Sequence, residues 1–231
     1  MYKLIGVIAG LLLLSIGVCI ANDETYIPSD ESLLGGFGGG PQVMVYYHPS
    51  LSKLNAYLKG KGFDSFNDLY GMGGTIRWSF NQNYQIGITG AGFGGVADNI
   101  NNNNGTVTVN EATIGGGYYM FQGIYRIPLG KWWAVSVGAG VGRASAGYKF
   151  LSTDKDTGTV VSLIQAGGSD WIGQVFIDGA YRIKGLFGVG FDVTYNIGKI
   201  DEIKRGGETD GTLPEIDLNG IMIRVGPRFH F

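Results

Sequence analysis

The chain has 231 residues, of which 42 are glycine, with 13% aromatic and 16% charged residues and a net charge of −2. Glycine at this density without a Gly-X-Y period is not collagen, and the aromatic share is too high for a disordered chain. The near-neutral balance leaves no electrostatic footprint for nucleic acid.

Met1-Tyr2-Lys3 is a positive start, followed by an apolar run from Leu4 to Val18. Cys19-Ile20-Ala21 places small residues three and one before a cleavage point, so residues 1–21 read as a secretory signal peptide. A retained anchor is the competing reading, but the run is short for a span of ~20 residues. Cleavage removes Cys19, the sole cysteine, so no disulfide framework is predicted. Residues 22–40 are acidic, then glycine-rich, and read as a flexible leader. Residues 41–231 remain as the folded domain.

In that domain the side chains alternate with period two, which marks extended strands. Val43, Val45 and Tyr47 form one face of a first strand. Ser50 is a candidate cap for a short helix with Leu51, Leu54 and Leu58 at helical spacing, stopped by Gly60 and Gly62. Ile76-x-Trp78-x-Phe80 and Tyr84-x-Ile86-x-Ile88 flank a short turn at 81–83. A polar loop is predicted over 94–105, its far arm 106–113 extending the next strand. Tyr119-x-Phe121 to Ile127 and Trp133 to Val141 flank Pro128-Leu129-Gly130-Lys131. A second long loop is predicted from about Gly147 to Ser169. Trp171 to Ile183 and Phe187 to Ile197 form a hairpin about Lys184-Gly185. An acidic, glycine-rich loop runs from Lys199 to Asp217, and Ile221 to Phe231 closes the chain.

This makes eight strands, with long and short connections in strict alternation. The bulky face is the unusual one. Val189, Phe191, Val193 and Tyr195 alternate with Gly190, Asp192, Thr194 and Asn196, so the greasy side is continuous and the other is small and polar. A soluble sheet buries its apolar face against a core; here lipid is the economical solvent for it. A sheet in hydrocarbon must close on itself, because each unpaired backbone group costs several kcal/mol. The fold predicted is an all-β, eight-stranded, up-and-down antiparallel transmembrane barrel with a short helix in its first long loop. Even strand number puts both chain ends on the short-turn side. Trp78, Phe80, Tyr84, Tyr125, Trp133, Tyr181, Phe187, Phe229 and Phe231 lie near the short turns or the chain end, and Tyr47, Tyr119, Trp171 and Tyr195 near the loops, forming two interfacial belts.

From Pro41 to Phe231 the chain resembles the small eight-stranded outer-membrane barrels of Gram-negative-type bacteria. Its closing segment, Ile223-x-Val225-x-x-x-Phe229-x-Phe231, is similar to the terminal signal that the barrel-assembly machinery reads in that family. Pro227 departs from it and belongs at a bulge or an edge-like position. The resemblance implies a bacterial outer-membrane location with both termini periplasmic, and outer-membrane lipid and the assembly machinery as partners. It is architectural, and architecture does not fix function.

Eight strands enclose a lumen that side chains fill, or that holds one small ligand. Charges are excluded from the lipid face, where each costs roughly 2–4 kcal/mol at the midplane. Arg77, Arg126, Arg182, Arg224, Arg228, Asp178 and Asp192 are therefore placed inside, with Asp192 paired to Arg224 and Asp178 to Arg182. Such a layer is a cork, or a narrow anion or proton path. Above it, alternation places Met44, Tyr46, Met72 and Tyr118 inward, with Met120, Ile172, Phe176 and Met222. This apolar cup is either an ordinary core, lidded by Leu51, Leu54 and Leu58, or a pocket for a lipid tail or small hydrophobic solute.

No serine, histidine and carboxylate converge in the sequence, so no enzyme is predicted. Gly90-Ala91-Gly92-Phe93-Gly94-Gly95 spells a dinucleotide motif with no helix after it. Asp154-x-Asp156 and the acids from Asp201 to Asp217 lack calcium-loop spacing. No metal and no cofactor is called for. The function expected is structural, or surface interaction by four long extracellular loops over a plugged lumen; the alternative is a narrow conduit or binding cup for a small hydrophobic molecule.

Overall fold

Neighbouring strands pair antiparallel in chain order, and the last pairs with the first. In the computed structural model, which describes residues 36–81, 83–103, 106–130, 132–184 and 187–229, the barrel strands are β1 (Phe37–Pro49), β2 (Leu69–Ser79), β3 (Tyr84–Asn103), β4 (Thr106–Leu129), β5 (Trp133–Asp154), β6 (Val160–Lys184), β7 (Phe187–Ile197) and β12 (Gly220–Phe229). Between the last two lie the two-residue strands β8 (Lys199–Ile200), β9 (Lys204–Arg205), β10 (Glu208–Thr209) and β11 (Ile216–Asp217), and helix α1 (Ser52–Gly60) follows β1. The ring runs β1 to β7 and returns through β12 to β1, with β6–β7 pairing completing it. No edge faces hydrocarbon, which is the condition for a sheet to span a membrane. The signal-peptide reading of residues 1–21, most of the leader, and the terminal Phe231 fall outside the described residues. The end of the leader is not flexible: Phe37 to Gly40 already pair with Trp78 to Thr75 as the start of β1.

The outer wall carries the residues expected to meet lipid. Ile76, Ile88, Phe121, Val141, Val175 and Ile197 are all more than half or nearly half exposed. At the short-turn end, aromatic rings pair across strands: Trp133 with Tyr181 at 4.7 Å, Tyr84 with Tyr125 at 5.3 Å and Phe187 with Phe229 at 6.0 Å. Tyr70, Tyr119, Trp171 and Tyr195 form the opposite belt. From Tyr181 to Trp171 the strand climbs roughly 33 Å at ~3.3 Å per residue, about 25 Å along the axis at the tilt such barrels adopt. That is the height of a membrane's apolar band.

β1 corrects the sequence reading in one place. It carries one extra residue: Gln42 pairs with Gly73 but Val45 with Gly71. The same shift appears against β12, between Gly39↔Phe229 and Met44↔Val225. Pro227 lies opposite this gap, and Pro41 sits in the bulged strand; neither supplies an amide to the ladder. The bulge reverses the alternation beyond it. Val43 and Met44 both face out, at 63% and 51% exposure, while Val45 and Tyr47 are buried. Tyr46 thus takes the place in the outer belt expected of Tyr47, edge-on to Tyr70 at 5.7 Å.

Two expected loops are strands. β3 and β4 continue in register to Asn103↔Thr106, and β5 and β6 remain paired to Thr153↔Val160. Since β2 and β7 are only 11 residues long and β6 is 25, four strands project as a ribbon well beyond the others. Asp154 closes the β5–β6 tip by accepting from the amides of Asp156 (3.0 Å) and Thr157 (2.8 Å), with Gly158 in the left-handed region at φ 68°. Its carboxylate serves a turn, and no cluster of metal-ligating side chains occurs among the described residues.

Candidate functional site: a plugged lumen beneath a projecting ribbon

Five of the seven charged residues singled out in the sequence meet in the lumen, namely Arg77, Asp178, Asp192, Arg224 and Arg228. Asp178 on β6 accepts from Arg77 Nη1 on β2 at 2.7 Å and from Arg228 Nη2 on β12 at 3.0 Å. β2 and β6 stand four strands apart in the ring of eight, so the Arg77–Asp178 pair spans the full barrel diameter. A second tie crosses one layer higher. Arg224, 2% exposed, gives Nε to Asp192 (2.6 Å), Nη2 to Thr194 (2.9 Å), and Nη1 to Thr89 (3.1 Å) and Tyr118 (2.7 Å) on the far wall. The Asp192–Arg224 pair is the one expected. Asp178 does not pair with Arg182, whose shared strand and low position leave the carboxylate to cations reaching across from β2 and β12. Arg126 and Arg182 form no ion pair with any described residue. Glycines make room for this layer: a Cβ on Gly190 would collide with the Arg228 side chain.

The apolar cup is more crowded than alternation alone implies. Tyr118 (7%), Met120 (0%), Ile172 (3%), Phe176 (4%) and Met222 (0%) are buried in the lumen. Phe176 fills the space left by Gly138, where a Cβ would strike its ring. Three expected members are elsewhere. Met44 and Tyr46 lie beyond the bulge and face outward. Met72, 70% exposed, shares the parity of Ile76 and Trp78 with no bulge between them, so it too faces lipid. Their places are taken by Val45, Tyr47, Leu69, Phe93 and Ile114, all buried.

A lid completes the plug. Leu51, Leu54 and Leu58 of the first loop are at most 4% exposed and belong to one core with the upper barrel wall. Ser50 does not cap α1; its amide donates to Asn219 O at 2.8 Å, stapling the first loop to the last. Asn55 fixes the returning chain by exchanging two hydrogen bonds with the Phe66 backbone. The acidic last loop contributes Ile200, Ile203, Ile216 and Leu218, each at most 1% exposed. Tyr47 reaches this segment with a hydrogen bond from its hydroxyl to Leu218 O, and Lys53 pairs with Glu215 at 2.9 Å. The signal for these four lid residues was available: single large aliphatics in an otherwise acidic, glycine-rich stretch.

At the rim, Tyr46 Oη and His48 Nδ1 both lie 2.7 Å from Asp68 Oδ1, tying β1 to the chain just before β2. Burial opposes the Asp68 carboxylate, but the hydrogen bonds from His48 and Tyr46 outweigh it and hold its pKa below the ordinary value. A depressed carboxylate contributes stability at pH above its unfolded value, near 4, and loses it as pH falls through the folded one. Hydrogen exchange of the first loop is therefore expected to quicken as pH is lowered past about 4, beyond the intrinsic change in exchange rate. Asp68→Asn is expected to exchange fast at every pH, without that added dependence.

The closed sheet, lipid-facing band and filled lumen define a transmembrane eight-stranded β-barrel. No protein-family model and no curated protein matches the chain. Solved structures similar to it are small outer-membrane barrels. Ail, the attachment invasion locus protein of Yersinia pestis, in complex with the heparin analogue sucrose octasulfate, is 12% identical over 84% of this chain and 97% of its own, with a TM-score of 0.46. OprG from Pseudomonas aeruginosa is 15% identical over 86% and 98%, TM-score 0.47. AlkL, determined in DMPC bilayers, is 16% identical over 91% and 96%, TM-score 0.46.

Proposed function

We propose that the chain is a bacterial outer-membrane barrel that works at the cell surface through its projecting hairpins, over a lumen that conducts nothing. The observation that carries this reading is the free edge of β6. Above the barrel rim, β6 pairs on its outer side, among the described residues, only at Gly167↔Lys204. Residues 160–165 carry no charge, and Val160, Val161 and Leu163 are 55%, 60% and 48% exposed. Natural sheets guard such edges with lysine, proline or a covering segment. On the other side of the ribbon the first loop lies against β3, whose Asn101 Nδ2 donates to Gly62 O (2.6 Å) and Asn99 Nδ2 to Asp64 Oδ1 (3.3 Å). An unguarded edge of valine, leucine and isoleucine receives an extended segment of a partner as an added strand, the ladder supplying affinity and alternate side chains supplying specificity.

The start of β1 and the end of β12 share one side, since Gly39 pairs with Phe229. In this reading that side is periplasmic, and insertion depends on the barrel-assembly machinery. The role is not enzymatic. Against a conduit for hydrophobic solutes stand the two diametric ties and the buried lid.

The test is adhesion. Cells displaying the barrel are washed over a surface coated with extracellular-matrix protein, and retention is compared with Val161→Lys/Leu163→Lys cells. Retention is expected to fall at least about tenfold, because two edge lysines oppose strand addition, while the barrel's heat-modifiable gel shift persists. Equal retention by the variant and parent would remove the β6 edge as the contact.

A further inference from the structure

The lumen holds five guanidinium groups, Arg77, Arg126, Arg182, Arg224 and Arg228, against two carboxylates, Asp178 and Asp192. Four of the five lie in the half toward the short turns. Arg224 and Arg228 are buried and Arg77, Arg126 and Arg182 half-buried, and a surplus of like charge withdrawn from water is unfavourable unless an opposite charge accompanies it. The protein supplies none there among the described residues.

The surplus has a place to be neutralised. At the short-turn mouth is a cavity of about 30 Å³ lined by Arg77, Arg126, Arg228, Ser79, Gln85 and Ser136. One water needs roughly 10–15 Å³ by the same measure, so the space suits a small group of a few heavy atoms. Two of the guanidinium groups lining it keep buried nitrogens without a partner: Nη1 of Arg228, whose side chain is 5% exposed, and Nε of Arg77, at 11%. Each residue gives one other nitrogen to Asp178, Nη1 of Arg77 and Nη2 of Arg228. That fixes the two forks, and Arg126 completes the set with no carboxylate of its own.

We propose that the short-turn mouth of the lumen binds a small free oxyanion of the phosphate class, held by Arg77, Arg126 and Arg228. Planar guanidinium forks match the oxygens of such an anion and give charge-assisted hydrogen bonds. The barrel wall separates the cavity from lipid, so the anion enters from the aqueous side as a solute and not as a headgroup. The site is independent of the surface edge: losing one leaves the other intact.

The experiment uses the folded barrel in phospholipid-free micelles, at ionic strength held constant with chloride. Inorganic phosphate is titrated and followed by ³¹P line broadening and by the urea midpoint. The expected result is saturable broadening with a rising midpoint in the parent, and affinity at least about tenfold weaker in Arg126→Gln, which loses a charged donor without breaking an ion pair. Arg143→Gln, on the outer wall, is expected to bind as the parent does. If Arg126→Gln does not fold, Ala134→Leu, at a further residue lining the cavity, fills it without altering charge, and the same loss is expected. No saturable effect beyond chloride, an unchanged affinity in both lumen variants, or an effect that appears only on adding phospholipid would each overturn the proposal.

Discussion

Asp178→Asn is expected to destabilise the barrel by about 3–5 kcal/mol, the range for removing one partner of a buried ion pair. The carboxylate is 1% exposed and, among the described residues, is the sole short-range anion for Arg77, at 2.7 Å, and the nearest for Arg228, at 3.0 Å. Without it, five arginines share Asp192, which already serves Arg224 at 2.6 Å and lies 3.6 Å from Arg228. The substitution is nearly isosteric, so the loss reads charge and not packing. Urea unfolding in micelles measures it. Adding Arg77→Gln to the variant is expected to recover part of the loss, because the orphaned cation is then removed as well; two residues in one network are not additive. A loss below about 1 kcal/mol, the level of an exposed pair, would mean that the lumen is wet enough to screen these charges. The plug would then be abandoned for an open path.

The barrel was legible in the sequence because period two survives wherever the ladder is regular. Through the barrel wall β4 to β7 keep one parity, with register shifts only at the two ends of β6, at Ser152/Thr153 against β5 and at Arg182/Lys184 against β7; between them Asp178, Asp192, Tyr118, Met120, Ile172 and Phe176 all point where alternation places them. β12 does the same for Arg224 and Met222. The reading failed on β1, where one inserted residue exchanged the faces of Met44 and Val45. Pro227 was the visible trace of that bulge, but it lies on the partner strand, and nothing local to Val43-Met44 marks the flip. Met72 was a different failure, since its own parity with Ile76 already placed it outside. Composition hides the long strands: Asn, Gly and Thr make up most of 94–113, and Lys149, Asp154, Lys155 and Asp156 with Gly, Ser and Thr interrupt the apolar residues of 147–169. Their pairing is long-range backbone bonding, to which composition is blind. The Asp178 partners were also out of reach: which arginine crosses to it depends on ring position, and strand order around a closed barrel is a tertiary fact.

Leu54→Ala with Leu58→Ala is expected to release the lid and so decide between a packed core and a binding cup. Each leucine is at most 1% exposed, and each truncation removes about 2–5 kcal/mol of burial and cavity free energy. The two lie one helical turn apart, on the same face, so their effects overlap. An isolated helix of this length is marginal without tertiary packing, so the loss falls first on the lid: α1 detaches while the barrel below, held by its ladder and its two diametric ties, stays folded. Urea unfolding is expected to show an early step absent from the parent, followed by the main transition little moved. Detachment also uncovers Tyr118, Met120 and Met222. An environment-sensitive hydrophobic dye, added to protein in lipid nanodiscs beside empty discs, is therefore expected to gain a protein-dependent signal in the variant and none in the parent. A parent that binds the dye in the lumen as tightly as the variant would show that the cup is open beneath the lid, and would replace the surface role with carriage of a small hydrophobic solute.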